Sequence, residues 1–437
     1  MAGCLQSGSN EGMKYSRKLA TASIVLLSLL MVISGFFSAT RAETAKTAEA
    51  ATTSEWKAGA ATAKITPSRP MPMSGYAGRK DNPSEGTEQD LFAKALAIED
   101  ADGNRVVIVT TDLIGILATL REDVATKVEA KYGLPPQALL MNASHTHCGP
   151  SYGRDDTRDY FEFLSGEIVR IIGEAIDTME PANLSYASAK CGFAMNRRTP
   201  TPQGFRNHPN PEGVVDHTVP VLRVDDAEGN LKTVLFGYSC HNTTMGFMKW
   251  LGDYAGYAQE YFEADHPGVT AMFMNNCSGD QNPYPRSMLY FAQRHGRTLA
   301  TAVEAALETN QSAFFHQRKL SGPMKSIFET VELEFTEESK REPFSYPVQV
   351  LQFGDGLSLI ALGTEVVVDY SLRLKKELGD RGPAIWVAGY SNVYSGYIPS
   401  KRVLEEGGYE AVSRPWKPEL EERIISKAHA LFDEVNR

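Results

Sequence analysis

Short, nearly unbroken apolar runs punctuate the chain at 106–111, 138–141, 234–238, 269–274, 357–362 and 384–388. Runs of this length that do not alternate with polar residues suit strands buried on both faces. Between them lie amphipathic stretches at 121–132, 160–180, 288–308 and 369–378, each long enough to cross from one strand to the next as a helix. The alternation predicts an α/β fold with a mainly parallel, helix-flanked sheet. Past Trp56 no repeat, low-complexity tract or Pro/Gly/Ser-rich linker divides the chain, so residues 56–437 are expected to form a single domain.

The N-terminus is patterned differently. Lys14, Arg17 and Lys18 precede an apolar stretch at 24–33, and mostly small residues follow as far as Ala42. This order predicts a signal peptide at 1–42 and a secreted or periplasmic protein. An extension through Gly35, Phe36 and Phe37 leaves an uncleaved membrane anchor as the alternative. Residues 43–55, rich in Ala and Thr, read as a disordered leader.

Composition narrows the partners. Lys+Arg of 44 against Asp+Glu of 54 gives a net charge of -10, and no segment concentrates the basic residues, which argues against nucleic acid. Five cysteines with no CxxC pair exclude a structural zinc ribbon. The chain contains no GxSxG elbow and no Walker-type Gly-Lys-Ser/Thr loop, so an α/β-hydrolase serine mechanism and nucleotide chemistry are disfavoured.

Chemistry-bearing residues gather where the apolar runs end. The run at 138–141 leads to Ser144-His145-Thr146-His147, that at 234–238 to His241, and that at 269–274 to Gly279-Asp280-Gln281-Asn282. The run at 357–362 leads to Glu365, and that at 384–388 to a Tyr-rich segment containing Tyr390, Tyr394 and Tyr397. In open α/β sheets ligands bind beyond the carboxyl ends of the strands, so these clusters can converge on one cleft. An HxH pair alone reads as two satisfied polar residues, and a lone His or Glu at a strand end likewise. Their coincidence points to a metal, for which imidazoles plus a carboxylate are the usual donors. His145 and His147 can share the metal, or one can face the substrate instead. Gly279-Asp280 by itself is turn chemistry. Cys148, Cys240 and Cys277 read as buried packing residues, with a disulfide as the alternative.

Read together, these segments resemble the neutral, non-lysosomal ceramidase family. The likeness rests on Ile65-Thr66-Pro67, on Met73-Ser74-Gly75-Tyr76-Ala77-Gly78-Arg79 and on Ser144-His145-Thr146-His147-Cys148-Gly149-Pro150. It continues through Asn196-Arg197, His241, Asp253-Tyr254-Ala255-Gly256-Tyr257, Gly279-Asp280, Glu365 and Asn392-Val393-Tyr394-Ser395-Gly396-Tyr397, in the family's order. The resemblance implies a Zn2+ site held by His145, His241, Glu365 and Tyr397. Tyr397 is preferred to Tyr394 because Tyr409 then stands at the family's spacing for a second active-site tyrosine. His147, Arg197 and Tyr409 would contact the scissile amide and stabilise a developing oxyanion.

Two departures qualify that reading. Asn282 stands where the family carries its nucleophilic serine, and a carboxamide nitrogen is not a nucleophile. The stretch after Glu365 is short, so the immunoglobulin-like C-terminal domain of typical ceramidases is expected to be absent. The resulting expectation is an exported zinc hydrolase of an acyl amide, N-acylsphingosine in the first instance, using zinc-activated water. Asn282 would serve as a donor oriented by Asp280. The substrate would be a small molecule or lipid, with peripheral membrane contact allowed; no oligomeric state is specified. The alternatives are a non-sphingolipid amide or ester as substrate, and a non-catalytic binding protein on the same scaffold.

Overall fold

The computed structural model describes residues 55–308 and 317–437. The expected signal peptide, and the leader up to residue 54, lie outside the described residues. Ser54–Arg437 forms one compact unit.

A nine-stranded sheet runs, in spatial order, through Thr270–Asn275, Leu231–Tyr238, Thr218–Asp226, Glu180–Lys190, Trp56–Lys64, Phe92–Asp100, Arg105–Thr111 and Leu139–Ala143, with Arg318–Lys319 attached to Glu180–Lys190. A four-stranded sheet orders Met324–Leu333, Phe344–Phe353, Leu357–Leu362 and Ala384–Ala388. The α/β class with flanking helices is as expected. Parallel pairing holds for Arg105–Thr111 with Leu139–Ala143, Leu231–Tyr238 with Thr270–Asn275, and Leu357–Leu362 with Ala384–Ala388. Each pair is joined by a crossover helix: Ala118–Tyr132, Asp253–Asp265 and Val368–Leu378 respectively. These are the strands of the six apolar runs.

The other principal pairings are antiparallel and fill the middle of the large sheet, from Thr218–Asp226 through Glu180–Lys190 and Trp56–Lys64 to Phe92–Asp100. The reason is visible in burial. Glu180–Lys190 and Trp56–Lys64 mix buried with exposed positions, so they write no continuous run, and tight turns such as Asp226–Asn230 return the chain directly. A search for apolar runs finds the parallel units and misses this meander.

Two-sided burial also explains the second sheet. Leu357, Leu359, Ala361, Trp386 and Ala388 pack into the main core, while Ile360, Leu362, Ile385 and Val387 pack against Leu374, Ile424 and Leu431 on the helices Val368–Leu378 and Leu420–Val435. Successive side chains alternate between the two cores, as a strand requires. Each such leucine contributes about 1.5–3 kcal/mol through burial.

Buried amides join the three parallel units at their carboxyl ends. Asn142 donates to the carbonyls of Asn275 (3.2 Å) and Gly389 (2.7 Å) and accepts from the Asn275 N–H (2.9 Å). Trp386 Nε1 donates to Asn276 Oδ1 at 2.8 Å. Each bond is worth about 1 kcal/mol net, and an unmade one would cost about 1–3 kcal/mol. The strand ends that carry the polar clusters are thereby held together.

Candidate metal centre

Several of these strands end in strained backbone. His145 (φ 62°), Thr364 (φ 60°), Tyr390 (φ 49°) and Asn392 (φ 63°) all adopt left-handed conformations without being glycine. Such residues cost about 1–3 kcal/mol each and persist where the surroundings over-determine them. Here the sharp turns bring His145, His241, Glu365 and the tyrosines into one buried cluster.

Protons are assigned by the partners of the rings. His145 Nδ1 lies 2.6 Å from the Ile114 carbonyl, and His241 Nδ1 lies 2.6 Å from the Ser278 carbonyl. A carbonyl only accepts, so Nδ1 carries the proton in both rings and each Nε2 presents a lone pair. Those two nitrogens converge on Glu365 Oε2 at 3.3 and 3.2 Å. His147 Nε2 stands 3.1 Å from His145 Nε2, and the three histidines offer ligand atoms within 4.8 Å of one another. Tyr397 OH is 3.4 Å from His241 Nε2.

Lone pairs therefore face a carboxylate oxygen that has no hydrogen-bond partner although it is buried. That arrangement is repulsive by itself and fits a cation held by nitrogen and oxygen donors. Protonation of His241 does not relieve it. Burial, with the Arg197 charge adding to it, pushes His241 down to about 3. Burial and the neighbouring imidazoles likewise push His147 well below its ordinary value. Burial works against the charge of Glu365, and His145 and His241 hold its carboxylate well below the usual range only as protonated rings; with neutral rings that role falls to a bound cation, which the Glu365 carboxylate would meet through its unpartnered oxygen. Its other oxygen accepts from Tyr394 OH at 3.1 Å. Tyr394 thus holds the carboxylate, while Tyr397 shares its neighbourhood with the imidazole nitrogen.

The opposite side of the cleft is built of donors. Arg197, on the strand Ala194–Thr201, donates through Nε to Glu410 (2.8 Å), through Nη1 to Asn282 Oδ1 (3.2 Å) and through Nη2 to Tyr397 OH (3.0 Å). Because Asn282 Oδ1 is taken by Arg197, its Nδ2 faces away with one long contact, 3.5 Å to Tyr284 OH. Tyr409 is 54% exposed, its ring 5.3 Å from that of Tyr397 and 5.8 Å from the Arg197 guanidinium carbon. It lies between the buried Tyr397 ring and solvent.

Asp280 does not orient Asn282. Its carboxylate accepts from the Val368 N–H (2.9 Å) and Asn196 Nδ2 (3.1 Å), and its carbonyl accepts from the Arg197 N–H (2.9 Å). It fastens the Arg197 strand to the segment after Glu365, and Arg197 does the orienting. Burial pushes the Asp280 carboxyl up to about 6.

Other residues at the site had no role in the sequence reading. Glu410 is buried, and it holds both Arg197 and Arg198, the latter at 2.6 Å. A glutamate beside an exposed tyrosine reads as solvated surface, so nothing local marked it. Tyr76 packs edge-on against His147 with ring centroids 4.7 Å apart. Gly75 beneath it has φ 95°, and a Cβ there would stand 2.4 Å from the His147 ring. Cys148, Cys191, Cys240 and Cys277 are free and buried.

The profile described as "Neutral/alkaline non-lysosomal ceramidase, N-terminal" matches residues 56–284, more than half of the chain. The chain belongs to the neutral/alkaline non-lysosomal ceramidase family. The neutral ceramidase of Pseudomonas aeruginosa is 28% identical over 324 residues, covering 67% of this chain and 47% of that protein. Neutral ceramidase B of Dictyostelium discoideum is 28% identical over 222 residues, covering 44% of this chain and 31% of that protein. The chain therefore aligns with less than half the length of these relatives. The solved neutral ceramidase from Pseudomonas aeruginosa shares the fold, with a TM-score of 0.74 at 20% identity over 87% of this chain and 75% of that one. A structure titled "Ceramidase complexed with C2" gives a TM-score of 0.73 at 19% identity. His145, His147, Arg197, His241, Asp280 and Asn282 lie inside the family segment, whereas Glu365, Tyr397 and Tyr409 lie beyond it.

Proposed function

We propose that this ceramidase-family protein is an exported, zinc-dependent hydrolase of an N-acyl amide, N-acylsphingosine in the first instance, that uses water in place of the family's serine. The observation that carries the reading is the unpartnered Glu365 oxygen facing two lone-pair nitrogens. His145, His241, Glu365 and Tyr397 would hold the metal. Bound zinc supplies a lowered pKa for water and a polarised carbonyl. Export rests on the N-terminal pattern of basic, apolar and small residues.

The remaining side chains fit a direct attack by water. Asn282 is no nucleophile, and its neighbours are disarmed. Ser278 Oγ donates to Tyr390 OH at 3.0 Å, and burial pushes the Cys277 thiol far up. With Oδ1 held by Arg197, Asn282 Nδ2 donates to the oxygen on which negative charge develops, and the Arg197 charge supports it. His147, neutral near pH 7, and the Tyr409 hydroxyl complete the polar lining about the amide. The balance is amide plus water giving a carboxylic acid and an amine.

Hydrolysis of a fluorescent N-acylsphingosine by the full chain, with chelator and then with zinc restored, tests the reading. Chelator-sensitive, zinc-restored cleavage is expected. Cleavage indifferent to the chelator would overturn the metal assignment, and zinc binding without cleavage of any acyl amide or ester would favour a binding protein.

A further inference from the structure

We propose that the mouth of this cleft carries a subsite for an oxyanion, a carboxylate or phosphate ester on the amine portion of the substrate, with the Arg414 guanidinium as its receptor. The inference rests on the amide-hydrolase reading and departs from its first-instance substrate: N-acylsphingosine carries no anion on its amine portion, so the subsite favours the alternative of a non-sphingolipid N-acyl amide, and it is argued from separate residues.

Arg414 is anchored beside the site. Trp416 donates its backbone N–H to the Arg414 carbonyl (3.0 Å) and its Nε1 to the Tyr397 carbonyl (2.9 Å), and its ring stacks on Phe335 at 4.2 Å. The Arg414 side chain then crosses Gly396, where a Cβ would stand 3.2 Å from its Nε. Gly396 lies between Tyr394, which holds Glu365, and Tyr397, which neighbours His241. The guanidinium is thus placed on the same short segment as the two tyrosines of the centre.

Its electrostatic surroundings are unusual for this protein. Buried or half-buried arginines elsewhere near the site have fixed acceptors: Arg197 and Arg198 meet Glu410, Arg402 meets Asp369 and Glu406, Arg79 donates to the Ser74, His147 and Phe247 carbonyls, and Arg121 donates to Asn392 Oδ1 and the Pro136 carbonyl. Among the described residues the Arg414 side chain makes no hydrogen bond and no ion pair, although it is only partly exposed. The charge that bears on it most strongly is a second cation, Arg341, whose guanidinium carbon sits 5.5 Å from the Phe335 ring and which has no ion pair among the described residues. Tyr394 does not supply the missing charge, since burial and the adjacent Glu365 keep its hydroxyl protonated.

A guanidinium has five donors and no acceptor, and leaving it half-buried beside a like charge is costly. A neutral amide would gain nothing from that cost. An oxyanion would accept two parallel N–H bonds and relieve the repulsion from Arg341. In a chain of net charge -10 this local positive field also draws anionic substrates toward the cleft.

Matched probes test the subsite in the full chain. N-lauroylglycine carries the anion, N-lauroylethanolamine replaces it with a hydroxyl, and the O-phosphate of the latter separates phosphate from carboxylate. Wild-type kcat/KM should favour an anionic probe over the neutral one by at least about tenfold, mainly through KM. In Arg414→Gln that ratio should collapse toward unity, and Arg414→Lys, which keeps the charge without the planar fork, should recover part of it. Equilibrium titration of metal-stripped protein with N-lauroylglycine reads the subsite without turnover and should weaken by a similar factor in Arg414→Gln. A wild-type ratio near one, or a ratio and titration unchanged in Arg414→Gln, would overturn the proposal. If no probe is cleaved, the hydrolase reading fails while the titration still decides for or against the subsite.

Discussion

The two sides of the cleft are opposites. On one, His145, His241 and Glu365 aim lone pairs at one another, their protons committed to backbone carbonyls behind them. On the other, Arg197 and Asn282 present N–H groups, fixed by Glu410 and by each other. A cation would satisfy the acceptor side and developing negative charge the donor side. The proposed amide hydrolysis by activated water calls for both and would use no serine.

The largest expected effect comes from breaking the acceptor side. His241→Ala should lose bound metal and at least about a thousandfold in kcat/KM; elemental analysis and steady-state kinetics on the same preparation check it. On the donor side, Asn282→Ala should cost about 10²–10³ in kcat with metal content unchanged, the cost of one oxyanion donor. Asn282→Ser sharpens the comparison further. If the missing serine were the defect, this variant would gain activity, whereas the donor role predicts a loss.

Proton linkage distinguishes the sides in stability. His241 titrates near 3 in the folded metal-free protein and near its ordinary 6.5 when unfolded, so the unfolded chain takes up more protons between these values. Stability then falls as pH drops from about 6.5 toward 3. Asp280, raised to about 6, runs the other way: its contribution falls as pH rises from 3.8 to 6. Urea titrations across this range should show Asp280→Asn removing the second trend and leaving the first. The smallest effect is expected for Gly75→Ala, whose Cβ presses on the His147 ring at a backbone angle that disfavours it. About a tenfold loss of activity with little change in metal content would place His147 outside the ligand set.

How much of this was legible in the sequence follows from the same physics. The three parallel units were, because burial on both faces writes mostly apolar residues along Leu357–Leu362 and its counterparts without a polar alternation. The antiparallel middle was not, because Glu180–Lys190 buries only Ala182, Leu184 and Ala187. His145, His241 and Glu365 stood out as polar residues at the ends of apolar strands. Glu410 and Arg414 did not: one is buried by a tertiary contact more than 200 positions away along the chain, and the other is defined by the acids that are not near it. Asp280 was given the wrong partner because sequence adjacency to Asn282 hides a carboxylate turned toward Val368.

The most direct test of the central claim is zinc content together with thermal stability of wild type and Glu365→Gln, each measured metal-free and zinc-loaded. A carboxamide can donate N–H bonds to the two Nε2 lone pairs and so remove the repulsion without the metal. The account predicts that Glu365→Gln melts higher than wild type when both are metal-free and retains no zinc, whereas wild type binds it stoichiometrically and is stabilised by it. A variant that melts lower when metal-free and still binds zinc would contradict the account.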